Sequence, residues 1–471
     1  MKKVIIIGGG VSGLAAGIYC RKLGLGCTIL EKHSEIGGNL TGWFRNGCYI
    51  DNCIHWLNGT NSKDALYSVW KELGIINNDA DLYQAKSFFE SELDGENIAF
   101  SADAEVTRLN MLLLSPCDSK EINRFIDAVE AVADFMSERS SLVSAARAYA
   151  IYRRISLSAL AERFSHPLLK TAFTDYFGGD FSAIALIWAY AAFTCGNAKV
   201  PLGGSKNAAD RVAERLRELG GEILTRSEVV RINTDGERHA SGVKLNDGRV
   251  LVGDAIICAC DPTITFGKIL PEKLMPSALT RCYNTPEKFL RFSSIHAAFV
   301  CDSRNIPEFG TRVIACESPA ESGCGRVIVK EFAHESNYAP DGKTVLQTMM
   351  FQNENDSMKW INSNNYAENK SEYIYKMKNA LIRSFPTCEA SLELLDAWTP
   401  ATYKRYFGSE SGSYMGFALT PRTALKTIDS RIKGLDNVFI ATQWQTSPGG
   451  LPNAARAGKK AAFKAFSTLC K

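Results

Sequence analysis

The chain predicts an α/β architecture: one domain is assembled discontinuously around a parallel sheet, and an α+β domain is inserted into it. Three observations carry this. Residues 4–7 (VIII) are a continuous apolar, β-branched run that leads straight into a glycine loop and a helical stretch. Strand–helix alternation returns at 200–260 and again near the C-terminal end, whereas 61–199 reads as mostly helical and 265–420 as mixed and rich in aromatics. The 471 residues also give a soft expectation of two or three domains, at about 150 residues each. The boundaries that follow are 1–60, 200–264 and 420–471 for the sheet domain, with 61–199 and 265–419 forming the inserted one.

In chain order, the first run suits a strand buried on both faces. The helix after it ends near Gly24, and a second strand, Cys27 to Leu30, stops at Glu31. Glu121 to Met136 is amphipathic, with Phe125, Ala128, Val129 and Val132 on one face. Phe181 to Cys195 is the longest apolar stretch, shorter than the roughly 18 residues of a membrane span; it reads as a buried helix, with a surface that touches lipid or an apolar ligand as the alternative. Ser205 is placed to cap a helix whose stripe is Ala209, Val212, Leu216 and Leu219, closed by Gly220. Strand-like runs follow at 222–224, 228–232, 242–245, 250–252 and 255–258, with Asn246-Asp247-Gly248 as a hairpin turn. A strand at Val438 to Ala441, a Pro/Gly loop at 447–452 and a helix from about Asn453 complete the chain.

Composition narrows the function classes. Hydrophobic residues make up 45% and charged residues 22%, and the net charge is +3, with no basic run of the kind that marks nucleic-acid binding. The 14 cysteines include no Cys-x-x-Cys pair, so zinc and iron–sulfur sites lack their ligand spacing and no metal is expected. The chain starts directly with a strand and shows no signal-peptide layout, which predicts a cytoplasmic, reducing setting.

The glycine loop carries the chemistry. In Gly8-x-Gly10-x-x-Gly13 the first glycine permits the tight turn, the second lets a pyrophosphate approach the backbone, and the third lets the helix pack on the strand. The helix N-terminus, with Val11 and Ser12, presents free N–H groups and a positive dipole end. Glu31, at the end of the second strand, is placed to accept from both ribose hydroxyls and to repel a 2′-phosphate. This predicts a dinucleotide site.

The run from VIIIGGGVSGLAAG to TILEKHSEIGG resembles the start of the FAD-dependent amine oxidase and phytoene desaturase superfamily. The resemblance implies FAD, with Lys32 beside the ribose carboxylate and Gly37, Gly38 and Asn39 near the pyrophosphate. Asn39 stands where many members have arginine, and Arg45 is the nearest candidate to replace it. The segment from Pro201 to Ile232 is similar to a superfamily region in which the residue at Val229 or Val230 meets the adenine through its backbone. The C-terminal GLDNVFIATQWQTSPGGLPNAARAG resembles the motif that contacts the ribityl chain and the pyrimidine ring, implying roles for Gln443, Gly450, Leu451 and Pro452. A helix start there stabilises negative charge on a reduced flavin. GCYIDNCIHWLNG (47–59) and TPATYKRYFGSESGSYMGF (399–417) look like segments of carotenoid isomerases, phytoene desaturases and retinol saturases.

What this implies is hydride transfer at flavin N5 that desaturates or saturates carbon–carbon bonds of an apolar polyene- or isoprenoid-like substrate. A redox-neutral cis–trans isomerase using reduced flavin, an amine oxidase and a non-enzymatic flavoprotein are the alternatives. Trp444 is available for an amine oxidase's aromatic sandwich, but no partner ring or lysine stands out for that reading. His55 is the candidate proton donor or orienting group. Trp188, Tyr406, Tyr414 and Phe417 are the candidate substrate-cavity wall. With no second glycine loop of this type, an external electron donor or acceptor is expected. Arg147, Arg153 and Arg154, set among Ala, Tyr and Ile, suggest a solvated helix face or a peripheral membrane contact.

Overall fold

Four β-branched residues in a row bury both faces of a strand, and β1 (Lys3–Ile7) does so from Val4 to Ile7. The computed structural model describes residues 1–78, 81–140, 142–235, 238–317, 325–423 and 427–470. β1 is central in a six-stranded sheet. It pairs in parallel with β2 (Gly26–Leu30) on one side and with Ala255–Cys258 on the other. Glu222–Leu224 extends the sheet beyond β2, Leu435–Ile440 extends it beyond Ala255–Cys258, and antiparallel Arg431–Ile432 closes that edge. Segments from the start, middle and end of the chain thus form one sheet.

α1 (Val11–Lys22) is buried along almost its whole length, against the helix Leu451–Leu469. Gly458 makes that approach possible: a Cβ there would lie 2.2 Å from Ser12 O. The hairpin expected at Asn246-Asp247-Gly248 joins Ala240–Leu245 to Val250–Val252, with Gly248 at φ +90.

A seven-stranded sheet forms a second layer, in the order Glu393–Trp398, Phe292–Asp302, Lys343–Asn353, Arg326–Glu331, Thr311–Ala315, Ser87–Leu93 and Glu96–Ser101. The last two strands add a hairpin to the stretch 61–199, which is otherwise mostly helical as expected. They form a hairpin across Asp94 and Gly95, both at positive φ, and bury Phe88, Phe89 and Phe100 against the helices that follow. Ser119–Met136 buries the four residues expected of its apolar stripe. Ala183–Thr194 is apolar all round and packs into the same core. Among the described residues, no helix is long and apolar enough to cross a membrane.

Ser205 is not a cap. The helix Gly204–Glu218 starts one residue earlier, after Gly203 at φ +86. The Ser205 hydroxyl lies in the first turn, donates to Asp51 Oδ1 at 2.6 Å and accepts from the Ile54 amide at 3.0 Å.

Candidate flavin and substrate site

A cavity of about 1220 Å³ runs from the C-terminal ends of β1 and β2, past the turn at 37–40 and the loop at 442–450, to the helices Leu142–Tyr152 and Ala183–Thr194. Its volume exceeds the roughly 300–1,000 Å³ of common small-molecule sites, which leaves room for a dinucleotide and a second ligand.

At the β1–β2 end, Gly10 bridges Gly37, so two glycine turns meet back to back. A Cβ at Gly10 would face Gly37 O and Gly38 Cα at 3.9 Å, and Gly38 holds φ +59. α1 begins at Gly10 with no side-chain cap, so its first-turn amides are presented to a ligand. Gly8, Val11, Ser12 and Lys32 line this end. Gly13 does not, because it serves packing: a Cβ there would strike Gly8 O at 2.0 Å. Glu31 is buried and accepts from the Gly9 amide at 2.7 Å through Oε2 and from the His33 amide at 2.9 Å through Oε1. Each oxygen keeps a lone pair for a ribose hydroxyl. Val229, which is buried, and the more exposed Val230 both border the same end.

The opposite side is built by the C-terminal segment. Gly450, at φ +105, begins the helix Leu451–Leu469 without a side-chain cap, and Pro452 occupies its first turn. Gln443 lines the cavity and also fixes the loop: Oε1 accepts from the Gly450 amide at 2.8 Å and Nε2 donates to Tyr414 O at 3.1 Å. One lone pair and one proton of its amide stay available for a ligand. Asn39 Nδ2 donates to the same carbonyl at 2.9 Å, and its Oδ1 is buried without a partner. Arg45 is not near: it pairs with Asp396 at 3.0 Å and does not border the cavity.

The chain segment carrying His55 is held by buried polar groups. Asp51 accepts from the Ser205 amide and hydroxyl, the Cys53 amide and Tyr338 OH, which ties the segment to the N-terminus of Gly204–Glu218. Lys330, a buried lysine the sequence did not reveal, donates to Ile54 O at 2.7 Å. Burial pushes Lys330 down to about 8, with Asp51 opposing. His55 lines the cavity and is held neutral, well below the usual histidine range, first by burial and then by Lys330.

Past this point the wall becomes apolar. Tyr176, Phe177, Phe181, Ile184, Met349, Phe351, Met415 and Leu419 line it, and Leu142, Tyr149 and Trp188 stand where it reaches the surface. Tyr414 lines the junction of the two parts. Two expectations need correction. Tyr406 sits at the adenosine end, with His33 Nε2 2.8 Å from its carbonyl oxygen and their rings 5.5 Å apart. Phe417 is 2% exposed and packs on Trp444 and Tyr283, outside the wall.

The residues present fit FAD: two uncapped helix starts, a glycine cradle, a carboxylate with spare lone pairs and an unpartnered Asn39 oxygen border one elongated cavity. When bound, FAD supplies a hydride acceptor or donor.

The family described as flavin containing amine oxidoreductase matches residues 11–464. The chain is 26% identical over 273 residues to a phytoene desaturase (lycopene-forming) of Paracoccus sp. (strain N81106 / MBIC 01143), covering 54% of each chain. It is 25% identical over 224 residues to the chloroplastic prolycopene isomerase of Arabidopsis thaliana, covering 46% of this chain and 37% of that one. The matches therefore span about half, or less, of these relatives' length. Its fold is similar to that of an oxidoreductase from Methanosarcina mazei (TM-score 0.64, 16% identity, 97% and 98% covered). It is also similar to that of a putrescine oxidase (TM-score 0.60, 16% identity, 100% and 99% covered). With the family matched over nearly the whole sequence, the chain belongs to the flavin-containing amine oxidoreductases and is an FAD-dependent oxidoreductase.

Proposed function

We propose that the protein desaturates or saturates carbon–carbon bonds of an apolar, polyene-like substrate, with hydride transfer at flavin N5. The observation that carries this is the composition of the substrate half of the cavity. Among the described lining residues from 142–189, 349–351 and 415–419, none is Asp, Glu, Lys or Arg. An ammonium substrate would enter such a wall without a counter-charge, which is costly in an apolar site. A conjugated hydrocarbon meets aromatic and aliphatic side chains throughout. The likeness to phytoene desaturase supports the same substrate class.

The protein's own groups would align the chain of the substrate, exclude water and hold a neutral imidazole, His55, at the junction. The likeness to prolycopene isomerase favours a second reading, redox-neutral isomerisation. Purified FAD-loaded protein incubated with a panel of polyenes and retinoids separates the two by mass spectrometry. Loss or gain of two hydrogens supports redox chemistry, whereas unchanged mass with altered retention supports isomerisation. Turnover of simple amines with peroxide release, and none of polyenes, refutes both. Electrons pass to or from an external partner.

The surface end of the cavity suggests how such a substrate enters. Val143 is 74% exposed and Leu142 61% exposed on the helix Leu142–Tyr152, beside Trp188 on the neighbouring helix. Arg147 and Arg154 are also exposed, and residues 142–155 contain no acidic residue. This combination suits peripheral contact with an anionic lipid surface.

A further inference from the structure

Two main-chain carbonyls of one segment, those of Tyr406 and Tyr414, are gripped by side chains that stand beside the nucleotide cradle. His33 Nε2 donates to Tyr406 O at 2.8 Å, because a carbonyl can only accept. Asn39 Nδ2 and Gln443 Nε2 donate to Tyr414 O at 2.9 and 3.1 Å. His33 comes just after Glu31 and Lys32, and Asn39 just after Gly38.

The gripped segment belongs to the other layer. It leaves the seven-stranded sheet at Trp398 and enters the helix Pro400–Phe407, which a Thr399 capping box and a first-turn proline start. Tyr403 anchors this helix. It is buried, and its hydroxyl bonds with Trp398 Nε1 and Asn52 Oδ1, both at 3.0 Å. Gly408 ends the helix at φ +81, and a Cβ there would lie 2.8 Å from Ile264 Cγ1, so only glycine allows this turn. Beyond the turn, Gly412 O accepts from Ser293 Oγ at 2.7 Å.

Every residue from 404 to 409, and again from 413 to 415, borders the main cavity. The segment therefore follows the nucleotide groove from the Glu31 end to the junction at Tyr414. The Tyr406 ring rests on His33 at 5.5 Å, with the Arg405 guanidinium 5.0 Å from its centroid, and the residue is still 46% exposed. An exposed aromatic ring at the rim of such a groove offers a face on which adenine stacks. Lys404 and Arg405 form no ion pair among the described residues. Their charge offsets the carboxyls of Glu31, Glu228 and Asp261 at an end that receives a pyrophosphate.

We infer that residues 404–414 form a strap that holds the adenosine half of FAD, with Tyr406 as the adenosine contact and the His33–Tyr406 bond as the latch. The inference rests on the FAD placement above and adds to it a contact from outside the six-stranded sheet. The latch is a single exposed hydrogen bond, whereas the Tyr414 end is held by two that are partly buried. The strap therefore opens at the adenosine end, and the nucleotide is released there first.

Tyr406→Ala keeps the gripped carbonyl and removes the ring. It is expected to weaken FAD binding roughly tenfold, the scale of one base–aromatic contact, and to leave FMN, which lacks the adenosine, at its wild-type affinity. Tyr406→Phe keeps the ring and is expected to bind FAD as the wild type does. His33→Ala removes the latch and is expected to speed FAD release from the loaded protein several-fold, read from the rise in flavin fluorescence. Flavin-free forms of all three variants are expected to unfold in urea at the wild-type midpoint, because neither altered side chain lies in the core. Unchanged FAD affinity in Tyr406→Ala, or equal weakening of FAD and FMN, overturns the adenosine contact. An unchanged release rate in His33→Ala overturns the latch. A wild-type protein that does not bind FAD refutes the placement on which the strap rests.

Discussion

Gly10→Val separates the flavin cradle from the fold. A Cβ at Gly10 has no neighbour closer than 3.9 Å, and its backbone at φ −75 and ψ 178 suits any residue. As an N-cap exchange it lowers helix stability by at most about 1 kcal/mol. The branched side chain instead fills the space in which a pyrophosphate approaches the first turn of α1. Each amide hydrogen bond to a charged oxygen contributes about 1.5–3 kcal/mol, so losing two costs about 3–6 kcal/mol. That corresponds to roughly 10²- to 10⁴-fold weaker FAD binding. Gly13→Ala is the contrast. Its Cβ would lie 2.0 Å from Gly8 O, so the β1–α1 turn itself must shift, with or without flavin. The assay has two arms: urea unfolding of flavin-free protein, because bound ligand raises stability by mass action, and FAD titration followed by fluorescence quenching. Gly10→Val is expected to unfold near the wild-type midpoint and to bind FAD poorly, whereas Gly13→Ala unfolds early. A Gly10→Val protein that binds FAD with wild-type affinity refutes this placement of the pyrophosphate.

Lys330 has a folded-state pKa near 8, below its unfolded value near 10.4, so the unfolded chain binds more protons between those limits and stability rises with pH there. Relative to Lys330→Met, the wild type is expected to gain about 2 kcal/mol between pH 7 and 10 in denaturant unfolding; a pH-independent difference contradicts a charged, buried Lys330. Asp175 is almost wholly buried, holding Arg326 at 2.8 Å and accepting from Ser91 at 2.5 Å. Asp175→Asn removes a buried carboxylate that Arg326 and Ser91 bond and is expected to cost about 3–5 kcal/mol of stability, read from the unfolding midpoint. Leu142→Ser combined with Val143→Ser is expected to reduce co-flotation with vesicles containing phosphatidylglycerol while leaving flavin content unchanged; undiminished flotation would count against this face as the lipid contact.

Where function is written in backbone turns, the sequence was readable. Gly8, Gly10, Gly37 and Gly38 announce a close approach of main chain to ligand, and the strand before and helix after leave little alternative. The apolar periods of 119–136 and 183–194 were legible for the same reason: local spacing decides the buried face. Even the missed hairpin had a signal, Asp94-Gly95 between two alternating runs, outweighed by the helices around it. The segment 47–59 pointed to Asp51 and His55, but not to what surrounds them. Lys330 and His296 each look like a stray polar residue in an apolar strand until the seven-stranded sheet brings Phe292–Asp302 and Arg326–Glu331 beside the turn after Asp51. The same holds for Tyr406 and Phe417, eleven positions apart in one aromatic-rich segment. Composition marks both as candidate cavity wall, yet the chain between them turns, leaving one ring on His33 at the nucleotide end and the other packed on Trp444 in the core. A binding site made of turns can be read from spacing, whereas one made where strands cross depends on register, and register is a property of the assembled sheet.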